Sequence, residues 1–132
     1  MKNDSDQYEC RLVQLKIEDS SSIFLKDMEG SVIPVMVSHG EGKAVFSKDE
    51  ENIVARYVDP NHSVTRHYPF NPNGSAQGAA GVCNNDGRIM IMMPHPERTY
   101  LTKQYSWAPK GWGAHSPWFK MFDNAYQYAK KN

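Results

Sequence analysis

Val-Ile-Pro-Val-Met-Val at residues 32–37, followed directly by Ser-His-Gly-Glu-Gly at 38–42, decides how this chain is read. An unbroken apolar run is the signature of a strand buried on both faces, as in a parallel sheet covered by helices. Pro34 inside the run requires a position that donates no ladder hydrogen bond. The glycines at 40 and 42 permit positive φ or the close approach of a ligand. His39 therefore occupies a ligand-facing place in a loop after a buried strand, or serves as a turn histidine bonded to backbone. Gly-Glu-Gly does not make a phosphate loop, because it lacks the later glycine and sets a carboxylate where phosphate would sit.

Working outward, residues 9–17 (Glu-Cys-Arg-Leu-Val-Gln-Leu-Lys-Ile) alternate imperfectly and predict a strand with a bulge or with both faces partly covered. Ser20, Ser21 and Ser22 offer caps to a short turn carrying Ile23, Phe24, Leu25 and Met28, which Gly30 closes. Residues 43–46 read as a resumed strand, and Ser47-Lys48-Asp49-Glu50 as a capping box opening a helical turn. Residues 53–58 and 64–68 predict a hairpin around Asp59-Pro60-Asn61-His62, and 69–78 a loop. Residues 79–84 and 88–93 predict a second hairpin with an Asp-Gly turn. Ser116 and Pro117 start a last helix with an apolar stripe of Trp118, Phe119, Phe122, Ala125, Tyr126 and Ala129. A buried parallel strand at 32–37 needs a crossover helix ahead of it, and none is long enough. The chain reads as part of an α/β domain.

The chain has 132 residues, enough for one modest domain. Its 15 basic and 15 acidic side chains cancel, which gives no reason to expect nucleic acid as partner. The first half is acidic and the second basic, an asymmetry that could steer an anionic ligand or be ordinary variation between surfaces. No apolar run approaches the roughly 18–20 residues of a membrane span, and residues 1–7 are a polar tail without the apolar segment of a secretory signal. Cys10 and Cys83 are far apart, as suits the reducing cytoplasm. The five histidines show no spacing that predicts a metal site.

The strongest chemical signal is Met93-Pro94-His95-Pro96-Glu97-Arg98. If the prolines keep the segment extended, His95 and Glu97 project to one side, and the carboxylate can accept the imidazole N–H. That is the base and orienting half of a catalytic triad, or simply a His and a Glu ending a strand. Neither Cys10 nor Cys83 stands on a glycine-flanked strand-to-helix turn that would expose a nucleophile.

Val-Ser-His-Gly-Glu-Gly (37–42), Arg-Tyr-Val-Asp (56–59), Tyr-Pro-Phe-Asn-Pro-Asn-Gly-Ser (68–75), Gly-Arg-Ile-Met-Ile-Met-Met-Pro-His-Pro-Glu-Arg (87–98) and Ser-Trp-Ala-Pro (106–109) occur in that order. From about Tyr8 to the end the chain resembles the C-terminal part of the single-chain phosphoribosylformylglycinamidine synthases. The resemblance implies a partial class I glutamine amidotransferase sheet (flavodoxin-like, mostly parallel), with additional β-hairpins and a C-terminal helix. It also implies a cysteine–histidine–glutamate triad whose last two members are His95 and Glu97. Ser38, His39 and Gly40 would lie on the glutamine side of the pocket, and Asn71, Asn73 and Ser75 near its rim.

By the same resemblance, residues 8–132 form the C-terminal portion of the amidotransferase domain, the half with the nucleophile being absent. No cofactor belongs to this portion, since ATP and Mg2+ would bind an absent synthetase domain. The expected partners are glutamine, the missing nucleophile-bearing half with its synthetase, and further copies of the chain through apolar runs at 32–37 and 89–93 or the last helix. No nucleic acid and no membrane are expected. The competing functions are a non-catalytic remnant that self-associates or binds a partner, and an unrelated hydrolase using Cys83.

Overall fold

The computed structural model describes residues 1–48 and 50–131. The first strand, β1 (Glu9–Ile17), alternates cleanly, with Val13, Leu15 and Ile17 buried while Cys10, Leu12 and Gln14 face outward. It pairs with β2 (Val32–His39) without a register break, so the bulge expected in β1 is not there. The pairing is antiparallel, from Glu9 opposite His39 to Lys16 opposite Val32. This corrects the parallel reading of 32–37 and removes the need for a crossover helix. Residues 18–31 instead make a tight connection in which Ile17 N–H donates to Ser31 O and Gly30 N–H to Ile17 O, each at 2.9 Å.

β2 alternates too. Ile33, Val35, Val37 and His39 are buried, while Val32, Pro34, Met36 and Ser38 are half-buried. The run reads as buried on both faces because Val32, Pro34 and Met36, on its half-buried outer face, are also apolar.

β3 (Ile53–Val58), β4 (Ala79–Cys83) and β5 (Met90–Met92) continue the sheet in the order β2-β1-β3-β4-β5, every pair antiparallel. Register shifts between β3 and β4 bend the sheet. It curls until His95, just beyond β5, bridges Met36 on the free edge of β2, the His95 N–H donating to the Met36 carbonyl at 2.7 Å. The result is an α/β unit made of a curled half-barrel, its hairpins and one C-terminal helix. Its core contains Leu15, Ile17, Val35, Val37, Tyr57 and Trp118, all fully buried.

The β4–β5 hairpin turns where Asp-Gly predicts. Gly87 has φ +72°, and a Cβ there would lie 1.9 Å from the Ser21 carbonyl oxygen, so both conformation and space require glycine. The first hairpin is shorter than expected. Val64 makes one bridge to Val58, and the Thr65 hydroxyl then accepts the His67 N–H at 3.0 Å and turns the chain away. Residues 43–46 form no strand, because other groups take their backbone. Lys43 N–H donates to Met1 O (3.1 Å) and Ala44 N–H to Ser75 Oγ (2.9 Å). The expected turn at 47–50 includes Asp49, which lies outside the described residues.

The helix α1 (Phe119–Lys131) begins as predicted, with Ser116 Oγ accepting the Trp118 N–H at 3.2 Å. Its inward face differs from the apolar stripe. Asn124 is buried and donates to the carbonyls of Phe24 (3.0 Å) and Lys26 (2.8 Å), which pins the helix on the 18–31 connection. Trp118 and Met121 pack inward with it, and Phe119, Phe122 and Tyr126 are left exposed.

Pro34 explains itself at the β2 edge. Its carbonyl points away from β1 and accepts both Trp118 Nε1–H and Tyr105 O–H, each at 2.8 Å, while no N–H is wasted. Replacing Tyr105 by Phe should cost about 1 kcal/mol, since Trp118 still satisfies the carbonyl. Adding Trp118→Phe leaves the half-buried carbonyl unpaired, so the double variant should lose more than the sum of the singles. Urea unfolding of the four proteins measures that coupling; strict additivity would show that the shared carbonyl does not link the two rings.

Candidate functional site

The sheet's closure delivers the His–Glu pair. His95 is held by its bridge to β2 with φ −112° and ψ 80°, and Pro96–Arg98 then form a single 3-10 turn. Arg98 N–H donates to His95 O and Thr99 N–H to Pro96 O, each at 3.0 Å. His95 Nδ1 and Glu97 Oε1 lie 2.7 Å apart. The pairing read from the sequence is therefore present, but by another route. Glu97 is folded back by the turn rather than projected from an extended segment.

A carboxylate only accepts, so this contact places the proton on Nδ1 and leaves Nε2 as the free basic lone pair. The His95 side chain is 30% exposed and that of Glu97 56%. So open a pair orients more than it stabilises. Arg98 Nε, 4.0 Å from the same oxygen, adds a distant positive charge.

A second polar cluster lies on the other face of β2, around His39. Asn73 is fully buried, and its amide donates to Gly42 O (2.8 Å) and Tyr57 Oη (3.1 Å) and lies 3.4 Å from His39 Nε2. Its carbonyl accepts Ser75 Oγ–H at 2.7 Å and Ser75 N–H at 3.0 Å. Asn71 donates to the carbonyls of Thr65 and Ser75, both at 3.1 Å, and accepts the Gly74 N–H at 3.0 Å. Gly42 must be glycine, since a Cβ would fall 2.3 Å from the His39 ring. Asn71, Asn73 and Ser75 thus build the wall behind His39 with their side chains already engaged. Ser38 faces the other way and shares a 2.6 Å hydrogen bond with Tyr8 Oη, and a Cβ on Gly40 would meet the Tyr8 ring at 3.8 Å.

The structure brings His95 to Glu97, and His39 to Asn73 and Gly42. It does not put the two histidines in contact, although their charges interact across β2. His39 is pushed below its ordinary pKa of 6.5, by burial first and by His95 second, against a smaller opposite pull from Glu9. Its Nδ1 is buried without a partner among the described residues. Burial likewise drives the Tyr57 phenol well up. Neither thiol is bonded to His95. Cys10 is exposed on β1, and buried Cys83 lies 3.9 Å from Ser21 Oγ.

Three contributors escaped the sequence reading. Asn3 is buried, donating its amide to His39 O (2.8 Å) and accepting the Gly42 N–H (3.0 Å), so residues 1–7 brace the 39–43 loop. Nothing in the sequence marks it. Glu9 is buried beneath Arg11 (2.7 Å) and Ser5 (2.9 Å), and the phase of β1, which puts 9 with 13, 15 and 17, could have found it. Tyr57 has the same kind of signal in β3, a polar-tipped ring in an apolar strand.

The chain belongs to the CobB/CobQ-like glutamine amidotransferase domain family, which matches residues 1–129. It is also similar to a solved chain described as the structure of PurLQS from Thermotoga maritima, with 30% identity and a TM-score of 0.72. That similarity covers 98% of this chain and 51% of the other, so the chain spans about half the length of its relative.

His39 supplies a pH test. A histidine kept neutral by the fold stabilises fully above the unfolded pKa of 6.5, and that contribution is lost as pH falls through 6.5 toward the lowered folded value. Wild type should therefore lose more unfolding free energy than His39→Gln between about pH 7.5 and about pH 5.5, read by urea titration. Parallel losses would mean that His39 titrates normally in the fold.

Proposed function

We propose that the chain is the histidine–glutamate portion of a glutaminase that releases ammonia for the ATP-dependent conversion of formylglycinamide ribonucleotide to its amidine. The observation that carries this reading is the 2.7 Å His95–Glu97 contact with Nε2 left free, in a chain of the glutamine amidotransferase family. The ordered motif matches around it favour phosphoribosylformylglycinamidine synthase within that family.

In this reading His95 takes the proton from a cysteine thiol on a partner portion and later gives it to the departing ammonia. Glu97 holds the ring in the Nδ1–H form and favours the imidazolium once it forms. Ser38, His39 and Gly40 contribute the glutamine side of the pocket. Asn71, Asn73 and Ser75 act by fixing the loop that backs His39. ATP and Mg2+ belong to the synthetase portion, in the cytoplasm. The second reading, a binding remnant without catalysis, draws on the fact that neither thiol of this chain is bonded to His95.

The chain alone should release no glutamate from glutamine above background. Turnover that vanishes on Cys83→Ala or Cys10→Ala would overturn the proposal in favour of a self-contained thiol hydrolase. Co-expressed with a partner bearing a cysteine elbow, His95→Ala should lose several orders of magnitude in glutaminase kcat/KM, and His62→Ala should lose little. Glu97→Gln should fall between them, since an amide still holds the ring but does not favour the cation. Equal activities across these variants would remove the dyad from the mechanism and leave the binding reading.

A further inference from the structure

The half-barrel has two strand edges, and among the described residues only that of β2 is used. At the β2 edge the carbonyls of Pro34 and Met36 accept Trp118, Tyr105 and the His95 N–H. The exposed rings of α1 are already in contact, since Phe119 stacks on His115 at 4.0 Å and Phe122 meets Tyr100 edge-on at 5.9 Å. The outer edge of β5 has no strand partner among the described residues. Ile89 and Ile91 stand on it 64% and 65% exposed, while Met90 and Met92 turn back onto the core.

The register fixes which backbone groups this edge offers. Asn84 N–H donates to Ile89 O and Met93 N–H to Ala80 O, each at 3.0 Å, and Val82 lies opposite Ile91. Residues 89, 91 and 93 therefore spend their backbone on β4, and alternation turns the N–H and C=O of Met90 and Met92 outward. Ile-Met-Ile-Met-Met is nearly the same read in either direction, and residues 89–94 hold no ionisable side chain.

We propose that β5 pairs antiparallel with β5 of a second copy about a two-fold axis at Ile91, joining two half-barrels into one continuous sheet. Met90 then exchanges both hydrogen bonds with Met92 of the other copy, and Met92 with its Met90. Ile91 faces its own counterpart as a non-hydrogen-bonded pair, and Ile89 faces Met93. Such an interface is isologous, so the same patch serves both partners and the assembly closes at two. Apolar residues meet apolar residues at every position, and no like charges oppose each other. Of the three apolar surfaces that the sequence offers for self-association, this is the one with both side chains and backbone available.

Sedimentation at micromolar concentration and disulfide trapping test it. Wild type should show a concentration-dependent dimer. Ile91→Lys sets two ammonium groups against each other across the axis and should weaken the dimer by about tenfold or more. Circular dichroism establishes that this variant is folded. The trapping arm is independent of it and uses Cys10→Ser as background. In a non-hydrogen-bonded pair the Cα atoms lie about 4.5 Å apart, within disulfide reach. Ile91→Cys should therefore oxidise to a covalent dimer and Ile89→Cys should not. A wild-type monomer throughout, or a dimer in which Ile89→Cys links as readily as Ile91→Cys, would overturn the two-fold at Ile91.

Discussion

Everything distinctive in this molecule hangs on the outer edge of β2. An antiparallel sheet that ended at β2 would present the carbonyls of Pro34 and Met36 to water. Here they take the backbone N–H of His95 and the side chains of Trp118 and Tyr105. The first bond closes the curl and the other two seat the aromatic elements that follow. Because the closing residue is itself the candidate base, the position of the imidazole is set by main-chain geometry. A side chain on a free loop would have no such restraint.

The His39 cluster works on a different principle. Its polar groups are buried and, His39 Nδ1 apart, bonded to one another, with Asn73 and Asn71 spending both ends of their amides inside the loop. Networks of this kind specify one arrangement, because any displacement leaves a buried donor or acceptor unpaired. The exposed His95–Glu97 pair is built the other way. A rigid wall suits recognition of a fixed shape, and an accessible imidazole suits proton exchange with a group arriving from outside.

The sequence carried the His95–Glu97 contact better than it carried the topology. His-Pro-Glu announces a short His-to-carboxylate contact, and any local conformation that brings residues i and i+2 together satisfies it; a 3-10 turn does so as well as a strand. Strand direction is another matter. Residues 32–37 look buried on both faces, yet what lies beyond the strand is Tyr105 and Trp118 bonded to its edge carbonyl from 71 and 84 residues away, which no local pattern encodes. The helix start was legible in Ser116 and Pro117 because capping is local. The rotation of α1 was not, because one amide at Asn124 finding two carbonyls outweighs an apolar stripe whose rings can pack on His115 and Tyr100 at the surface.

The closure at Met36 also has a kinetic meaning. The β1–β2, β3–β4 and β4–β5 pairings each join consecutive strands, so they can form by hairpin zippering with modest loop-closure entropy. The bond from His95 to Met36 joins segments far apart in sequence and cannot form until the sheet between them has curled. The closure that sets the imidazole–carboxylate pair against β2 therefore spans a longer stretch of sequence than the strand pairings of the sheet. The candidate base thus sits on the seam that closes the sheet, so a ligand that bound the closed seam more tightly than the open one would favour the curl as well.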